Sequence, residues 1–168
     1  MSEIFTRFDE RLIHGQVMVA WQPYLQFREI RIVDEELAQD DWEQELLQGA
    51  SGGVPVLFSG AEGAKKWYDE ASPNLLVLIR SFDSLRALKR SGANLQQLNL
   101  GGVHYRKDRR RILNYLFVSA DELEVLRELV ASDVTVEARD VPQSDAINLN
   151  QLFAEGRLEF DNLPDRSS

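Results

Sequence analysis

A chain of 168 residues, 43% hydrophobic and 28% charged, can bury a continuous core as one domain, and its composition excludes a disordered, collagen-like or repetitive polymer. It contains no cysteine, which removes disulfides, thiolate chemistry and Cys-ligated zinc or iron–sulfur sites. The formal charge of -9 at pH 7 opposes non-specific binding to nucleic acid or anionic membrane and favours basic partner surfaces.

Glu3, Arg7, Asp9, Glu10 and Arg11 interrupt the first apolar positions. No signal-peptide core or membrane span is expected there, and a cytoplasmic protein is the simplest expectation. Short runs rich in Ile, Val, Leu and Phe then alternate with segments of helical spacing. Residues 3–8 predict a strand, 15–25 a helix, 28–34 a second strand, and 35–48 a helix with an acidic first turn. Residues 54–59 predict a third strand and 61–70 another helix. The run LLVLI at 75–79 has the uninterrupted apolarity of a parallel-sheet strand buried on both faces.

Ser81 or Asp83 can cap a helix reaching Arg90, with Gly92 as its end, and LQQLNL predicts a strand leading into Gly101 and Gly102. ILNYLFV at 112–118 predicts one further strand. Ser119 and Glu122 form an S-x-x-E capping box for a helix that turns Leu123, Leu126, Leu129 and Val130 inward. VTVEA at 134–138 alternates as a closing strand. Trp21, Trp42 and Trp67 fall in predicted amphipathic helices, which places them in core or edge packing. After Pro142 the chain turns more polar. The expected organisation is a domain over 1–142 and a tail over 143–168 that covers the sheet edge, contacts another subunit or frays. The fold class is α/β, a three-layer α/β/α domain with a mostly parallel central sheet, and ligands of such sheets gather beyond the carboxyl ends of the strands.

His14 occupies that position, between the first strand and the helix GQVMVAWQPYL. Backbone N–H groups at a helix N-terminus are free to bind an anion, and Gly15 lets a phosphate approach closely. Imidazole is a competent nucleophile near neutral pH. Arg11 can offer two hydrogen bonds to phosphoryl oxygens, and Asp9 can accept a proton from one ring nitrogen and so direct the other toward phosphorus. These residue types alone leave two readings open, a phosphoryl-carrying histidine and a structural one. Two histidines and no cysteine make a poor ligand set, so no metal and no cofactor are expected.

The string RFDERLIHGQVMVAW resembles the active-site loop of the IIB subunits of the mannose/fructose/sorbose family of the bacterial phosphoenolpyruvate-dependent sugar phosphotransferase system (PTS), whose pattern is R-x-D-x-R-L-I-H-G-Q-V. IVDEELAQDDWEQELL, LIRSFDSLRAL, LNLGGVHYR and VTVEARDVP add to the resemblance, which spans about residues 3–142. It implies a sugar phosphotransferase component with a phosphohistidine intermediate. His14 would accept a phosphoryl group at Nδ1 from a IIA phosphohistidine protein and donate it to a sugar held by a membrane IIC/IID permease. Arg11 and the loop amides would cradle the phosphate, Asp9 matches the neighbouring carboxylate, and Ser81 falls where a hydroxyl-bearing turn is expected. A regulatory phosphocarrier without transport, and an anion-binding domain whose histidine is never phosphorylated, remain as alternatives. Sugar identity and self-association stay open.

Elsewhere, His104 reads as a solvent-facing loop residue, and Gly101 with Gly102 as a tight turn in preference to a phosphate nest. The cluster RKDRRR at 106–111 lacks the wider basic field of a nucleic-acid site, given the overall acidity. A solvated loop or a protein-docking rim is the expectation there.

Overall fold

The computed structural model describes residues 4–70 and 74–166. Apolar side chains fill every position of Leu75–Ile79, so both faces of this strand, β4, need cover, and all five residues are buried. Its parallel neighbours are β1 (Ile4–Phe8) and β2 (Glu29–Val33), with Ile79 opposite both Phe8 and Val33. Glu3, the first residue of the expected strand, lies outside the described residues. β3 (Val56–Ser59) pairs beyond β2, β5 (Gln97–Leu100) beyond β1, and β8 (Thr135–Ala138) beyond β5, all parallel. A short antiparallel strand, β9 (Ile147–Asn148), completes a seven-stranded sheet of order β3-β2-β4-β1-β5-β8-β9.

Alternate residues of β4 serve two cores. Leu76 and Leu78 join Ile30, Ile32, Leu12, Ile13 and Val17 beneath α1 (residues 15–25, with a π turn at Val17–Trp21) and α2 (Asp41–Ala50). Leu75, Val77 and Ile79 join the core beneath α3 (Ala61–Ala64, continued by a 3-10 turn over Lys65–Tyr68), α4 (Phe82–Arg90) and α5 (Ala120–Ala131). This is the expected three-layer α/β/α arrangement. α5 carries the anticipated box in full: Ser119 Oγ accepts from Glu122 N at 3.2 Å and Glu122 Oε2 from Ser119 N at 2.9 Å. Its Leu123, Leu126 and Leu129 are buried, each contributing roughly 1.5–3 kcal/mol through removal of apolar area from water.

Four expectations need correction. The helix over 35–48 breaks at Asp40. Asp34 Oδ1 accepts from Leu37 N and shapes a 3-10 turn over Leu37–Gln39, and Asp40 then starts a new helix by accepting from Glu43 N at 3.0 Å. ILNYLFV is a hairpin and not one strand. β6 (Arg110–Leu113) and β7 (Leu116–Val118) pair antiparallel across a turn at Asn114 and Tyr115, in a separate two-stranded sheet. An apolar run across a two-residue turn mimics a continuous strand. β8 does not close the sheet, because β9 adds the outer edge. Trp21 and Trp67 are buried as expected, but Trp42 is 71% exposed.

Beyond β9, α6 (Leu149–Ala154) buries Leu149, and Leu158 joins the same core. The Asn150 amide accepts from Val136 N at 2.7 Å and donates to Val134 O at 2.9 Å, so a side chain supplies hydrogen bonds to backbone at the start of β8.

Candidate functional site

β1 leaves the sheet at Phe8, and Asp9 N donates to Ile79 O at 2.9 Å, which fixes the start of the loop against the end of β4. Leu12 N donates to Asp9 O at 3.0 Å, closing a tight turn, and Leu12 adopts a left-handed φ of 55° with its side chain buried. That conformation costs a bulky residue roughly 1–2 kcal/mol. Burial of Leu12 and Ile13 in the core below offsets it. His14 O then accepts from Met18 N at 3.1 Å as α1 begins, so the imidazole stands at the helix N-terminus and at the carboxyl end of the central strands.

Asp9 organises the loop. Its Oδ1 accepts from Arg11 N and Arg11 Nε, each at 3.0 Å. Its Oδ2 accepts from Arg7 Nη2 at 3.2 Å, Arg11 Nη2 at 3.1 Å and Gly102 N at 3.2 Å, and lies 3.2 Å from His14 Nε2. Burial by itself raises a carboxyl pKa, but hydrogen bonds from His14 and Arg11 and the charge of Arg7 overcome it and hold Asp9 well below the usual carboxylate range. An ionised carboxylate only accepts, so the ring nitrogen facing it carries the proton and Nδ1 of the neutral ring keeps its lone pair. Nδ1 accepts from Gln16 N at 3.3 Å, the bond an N-cap oxygen would make.

Arg7 has no part in the sequence reading beyond the R-x-D-x-R pattern, yet it is fully buried beneath the loop. Nη1 donates to Asn99 Oδ1 and, at 2.8 Å, to Arg139 O, while Nη2 also donates to Asp140 O at 3.0 Å. Its guanidinium lies 4.8 Å from the Trp21 ring centre. Burial lowers its pKa, and the neighbouring Asp9 opposes that shift. The available signal was a lone arginine in an apolar strand that every neighbouring element covers.

Gly101 and Gly102 are neither a left-handed turn nor a nest. Neither has a positive φ. A Cβ on Gly101 would sit 2.2 Å from Arg7 Nη2 and 2.6 Å from Asp9 Oδ2, and one on Gly102 would sit 2.9 Å from Arg11 Nη2. The glycines let the carboxylate and both guanidinium groups pack against backbone.

The remaining expected positions divide. Arg11 is a third exposed and donates to Gln16 Oε1 at 2.7 Å as well as to Asp9. Gly15 is exposed, and a Cβ there would meet nothing within 4 Å. Ser81 shares the sheet end, but its hydroxyl caps α4, accepting from Ser84 N at 3.1 Å and donating to Ser84 Oγ at 3.0 Å. His104 is solvent-facing, as expected. The basic cluster is largely consumed internally: Arg109 is buried between Glu122 and Glu10, and Arg110 donates to the carbonyls of Phe160 and Asp161. Among the described residues no three His, Cys, Asp or Glu side chains converge on a metal position. A recess of about 320 Å³ adjoins the loop at Glu10, Ser81 and Arg109. The larger cavity, about 700 Å³, opens near Ile4, Leu75 and Thr135 at the opposite end of the strands, remote from His14.

Comparison with known proteins shows which family this chain falls in. The family described as "PTS system sorbose subfamily IIB component" matches residues 4–163. The N-acetylgalactosamine-specific phosphotransferase enzyme IIB component 1 of Escherichia coli K12 is 29% identical over 143 residues, which are 83% of this chain and 90% of that protein. The sorbose-specific EIIB component of Lacticaseibacillus casei is 29% identical over 155 residues, covering 88% and 94%. The crystal structure of manxB from Thermoanaerobacter tengcongensis superposes with a TM-score of 0.80 at 31% identity, covering 92% of this chain and 97% of that one.

Proposed function

Because the chain belongs to the sorbose subfamily of PTS IIB components, we propose that it carries a phosphoryl group on Nδ1 of His14, between a IIA phosphohistidine and a sugar held by a membrane IIC/IID permease. A IIB component is a phosphotransfer subunit of a sugar phosphotransferase system, and the comparisons give no support to a purely regulatory role. The observation that carries the finer reading is the orientation of the ring. Nε2 faces Asp9 at 3.2 Å, which leaves Nδ1 with its lone pair beside the first amides of α1.

In the first step the Nδ1 lone pair attacks phosphorus in line, the P–N bond of the donor breaks, and its electron pair returns to the donor imidazole. The ring of His14 becomes cationic as the new bond forms, and Asp9 stabilises that charge through Nε2–H. The Gln16 amide exchanges its bond to Nδ1 for one to a phosphoryl oxygen. Arg11 turns its Nη2 from Gln16 to the transferring group, while Asp9 continues to hold Nε. Gly15 leaves the approach open, and Ser81 contributes when its hydroxyl rotates away from Ser84. In the second step a sugar hydroxyl attacks phosphorus and gives its proton to solvent, the P–Nδ1 bond breaks, and its electron pair returns to Nδ1, leaving His14 as neutral imidazole. The protein works in the cytoplasm, against the inner face of the permease.

The test is incubation with phosphoenolpyruvate, the general PTS proteins and IIA, followed by mapping of acid-labile phosphate. Label on His14, abolished in His14→Ala, is expected. Label elsewhere, or none in a system that phosphorylates its IIA, overturns the proposal.

A further inference from the structure

α2 leaves most of its apolar surface in solvent. No residue of it is buried, and two of its glutamines reach the backbone of neighbouring segments. Gln44 Nε2 donates to Leu37 O at 2.6 Å, Gln48 Nε2 to Val54 O at 3.0 Å, and Gln48 Oε1 accepts from Val56 N at 3.0 Å. Of its three large apolar side chains, only Leu47 packs against the core below, and it is partly buried; Trp42 is 71% and Leu46 53% exposed, four residues apart on one ridge. An amphipathic surface helix ordinarily turns such residues toward its core. α1 on the same sheet face exposes Val19 (78%) and Tyr24 (58%). Among the described residues, every large hydrophobic exposed on a helix belongs to α1 or α2, and α3, α4 and α5 on the opposite face expose none.

The charge of this surface is one-sided. Residues 34–48 hold seven carboxylates and no lysine or arginine. Arg80 engages Asp34 at 2.9 Å and Glu43 at 2.8 Å, but Glu36, Asp41 and Glu45 have no cationic partner among the described residues. The surface also adjoins the phosphoryl site. Asp9 N is bonded to Ile79 O, and the next residue, Arg80, grips the first turn of α2 through Glu43.

An exposed Trp and Leu ringed by carboxylates suits a protein surface that is apolar at its centre and basic at its rim. It repels an anionic lipid surface. On the reading of this chain as a sugar phosphotransferase subunit, the membrane permease is the partner that supplies a basic rim, because the cytoplasmic loops of membrane proteins are enriched in lysine and arginine. We propose that the outward face of α2, centred on Trp42 and Leu46, docks on the basic cytoplasmic loops of the membrane permease. His14 stays uncovered at the strand ends, so the docked protein delivers its phosphoryl group without losing its grip.

The experiment uses full-length protein, IIA, and the IIC/IID permease in nanodiscs of uncharged lipid. In the double variant Trp42→Ser, Leu46→Gln, phosphorylation of His14 by phospho-IIA is expected to proceed at the wild-type rate, while affinity for the permease nanodiscs falls about tenfold or more. Glu45→Lys is expected to weaken the same binding, and Lys89→Ser on α4 to leave it unchanged. Wild-type binding weakens as ionic strength rises. Unchanged permease affinity in the double variant overturns the proposal. So does a slowed IIA step, which would make IIA the occupant, or a wild-type dimer that the variant splits, which would make it a second copy of this chain. The two proposals fail separately: an unphosphorylated wild-type His14 sinks the function, and undiminished nanodisc binding sinks the docking surface.

Discussion

Oδ2 of Asp9 lies 3.2 Å from Nε2 of His14, and the same oxygen accepts from the backbone of Gly102, just beyond the end of β5. The orientation of the ring is therefore set by a carboxylate that is itself locked in place by β1, β5 and two guanidinium groups. Such a carboxylate leaves a signature in stability as well as in transfer.

Asp9 is held below its ordinary pKa, so the unfolded chain binds a proton at this group more readily than the folded protein does. Its stabilising contribution is complete above the unfolded value of about 3.9 and is lost as pH falls through the folded one. Urea unfolding should show Asp9→Asn less stable than wild type by about 3 kcal/mol at pH 7, because Arg7 is left buried without its counter-charge. The gap should narrow below roughly pH 4. A gap that is independent of pH across this range would show that Asp9 is not the group that titrates.

Arg7→Met removes the buried guanidinium while keeping an unbranched apolar stem. Asp9 then loses one of its two arginine partners, and the carbonyls of Arg139 and Asp140 lose their donors. A loss of about 3 kcal/mol is expected in denaturant unfolding. Phosphorylation of His14 should slow in the protein that remains folded. A variant of wild-type stability would mean that the carbonyl cradle closes on water at little cost.

The sheet and the loop differ in how plainly they are written in the chain. LLVLI could only be a doubly covered strand, and S-x-x-E could hardly be anything but a helix start, so both are legible from local pattern. The break at Asp40 depends on Asp34 reaching Leu37 N, and the β6–β7 hairpin depends on a turn at Asn114 and Tyr115 that no glycine or proline announces. At the site, the R-x-D-x-R-L-I-H-G-Q-V string marks Asp9, Arg11 and His14 together. Arg7 stood in the same string but acquires its role only from Asn99, Arg139 and Asp140, roughly a hundred residues away. Trp42 was misplaced because helical spacing says which residues share a face, not which way that face points.

Gly101 and Gly15 separate packing from access. Gly101→Ala drives a methyl group into the Arg7 and Asp9 side chains, and an overpacked site of this kind costs about 1–3 kcal/mol. Gly15→Ala enters open space and should change stability by no more than about 0.5 kcal/mol. Thermal unfolding of the two variants makes the comparison. Phosphorylation assays add the second half: Gly15→Ala should retain full stability yet accept phosphate more slowly, since the methyl group stands where the incoming group passes. Wild-type rates in Gly15→Ala would remove Gly15 from the approach path.

Arg11 is the sharpest test of how charge is handled during transfer. Its Nε and Nη2 both engage Asp9, and Nη2 also reaches Gln16, so the planar fork can hold the carboxylate and still present a donor to phosphoryl oxygens. Lysine keeps the charge but cannot do both at once. Arg11→Lys should stay within about 1 kcal/mol of wild-type stability, because the side chain is partly exposed and the pair is screened. Rapid-quench measurement of transfer from phospho-IIA should show a slower step, on the order of tenfold to a hundredfold. Lower stability with an unchanged rate would assign Arg11 to holding Asp9 alone, and the stabilisation of the transferring phosphoryl group would then fall to the Gln16 amide and the N-terminus of α1.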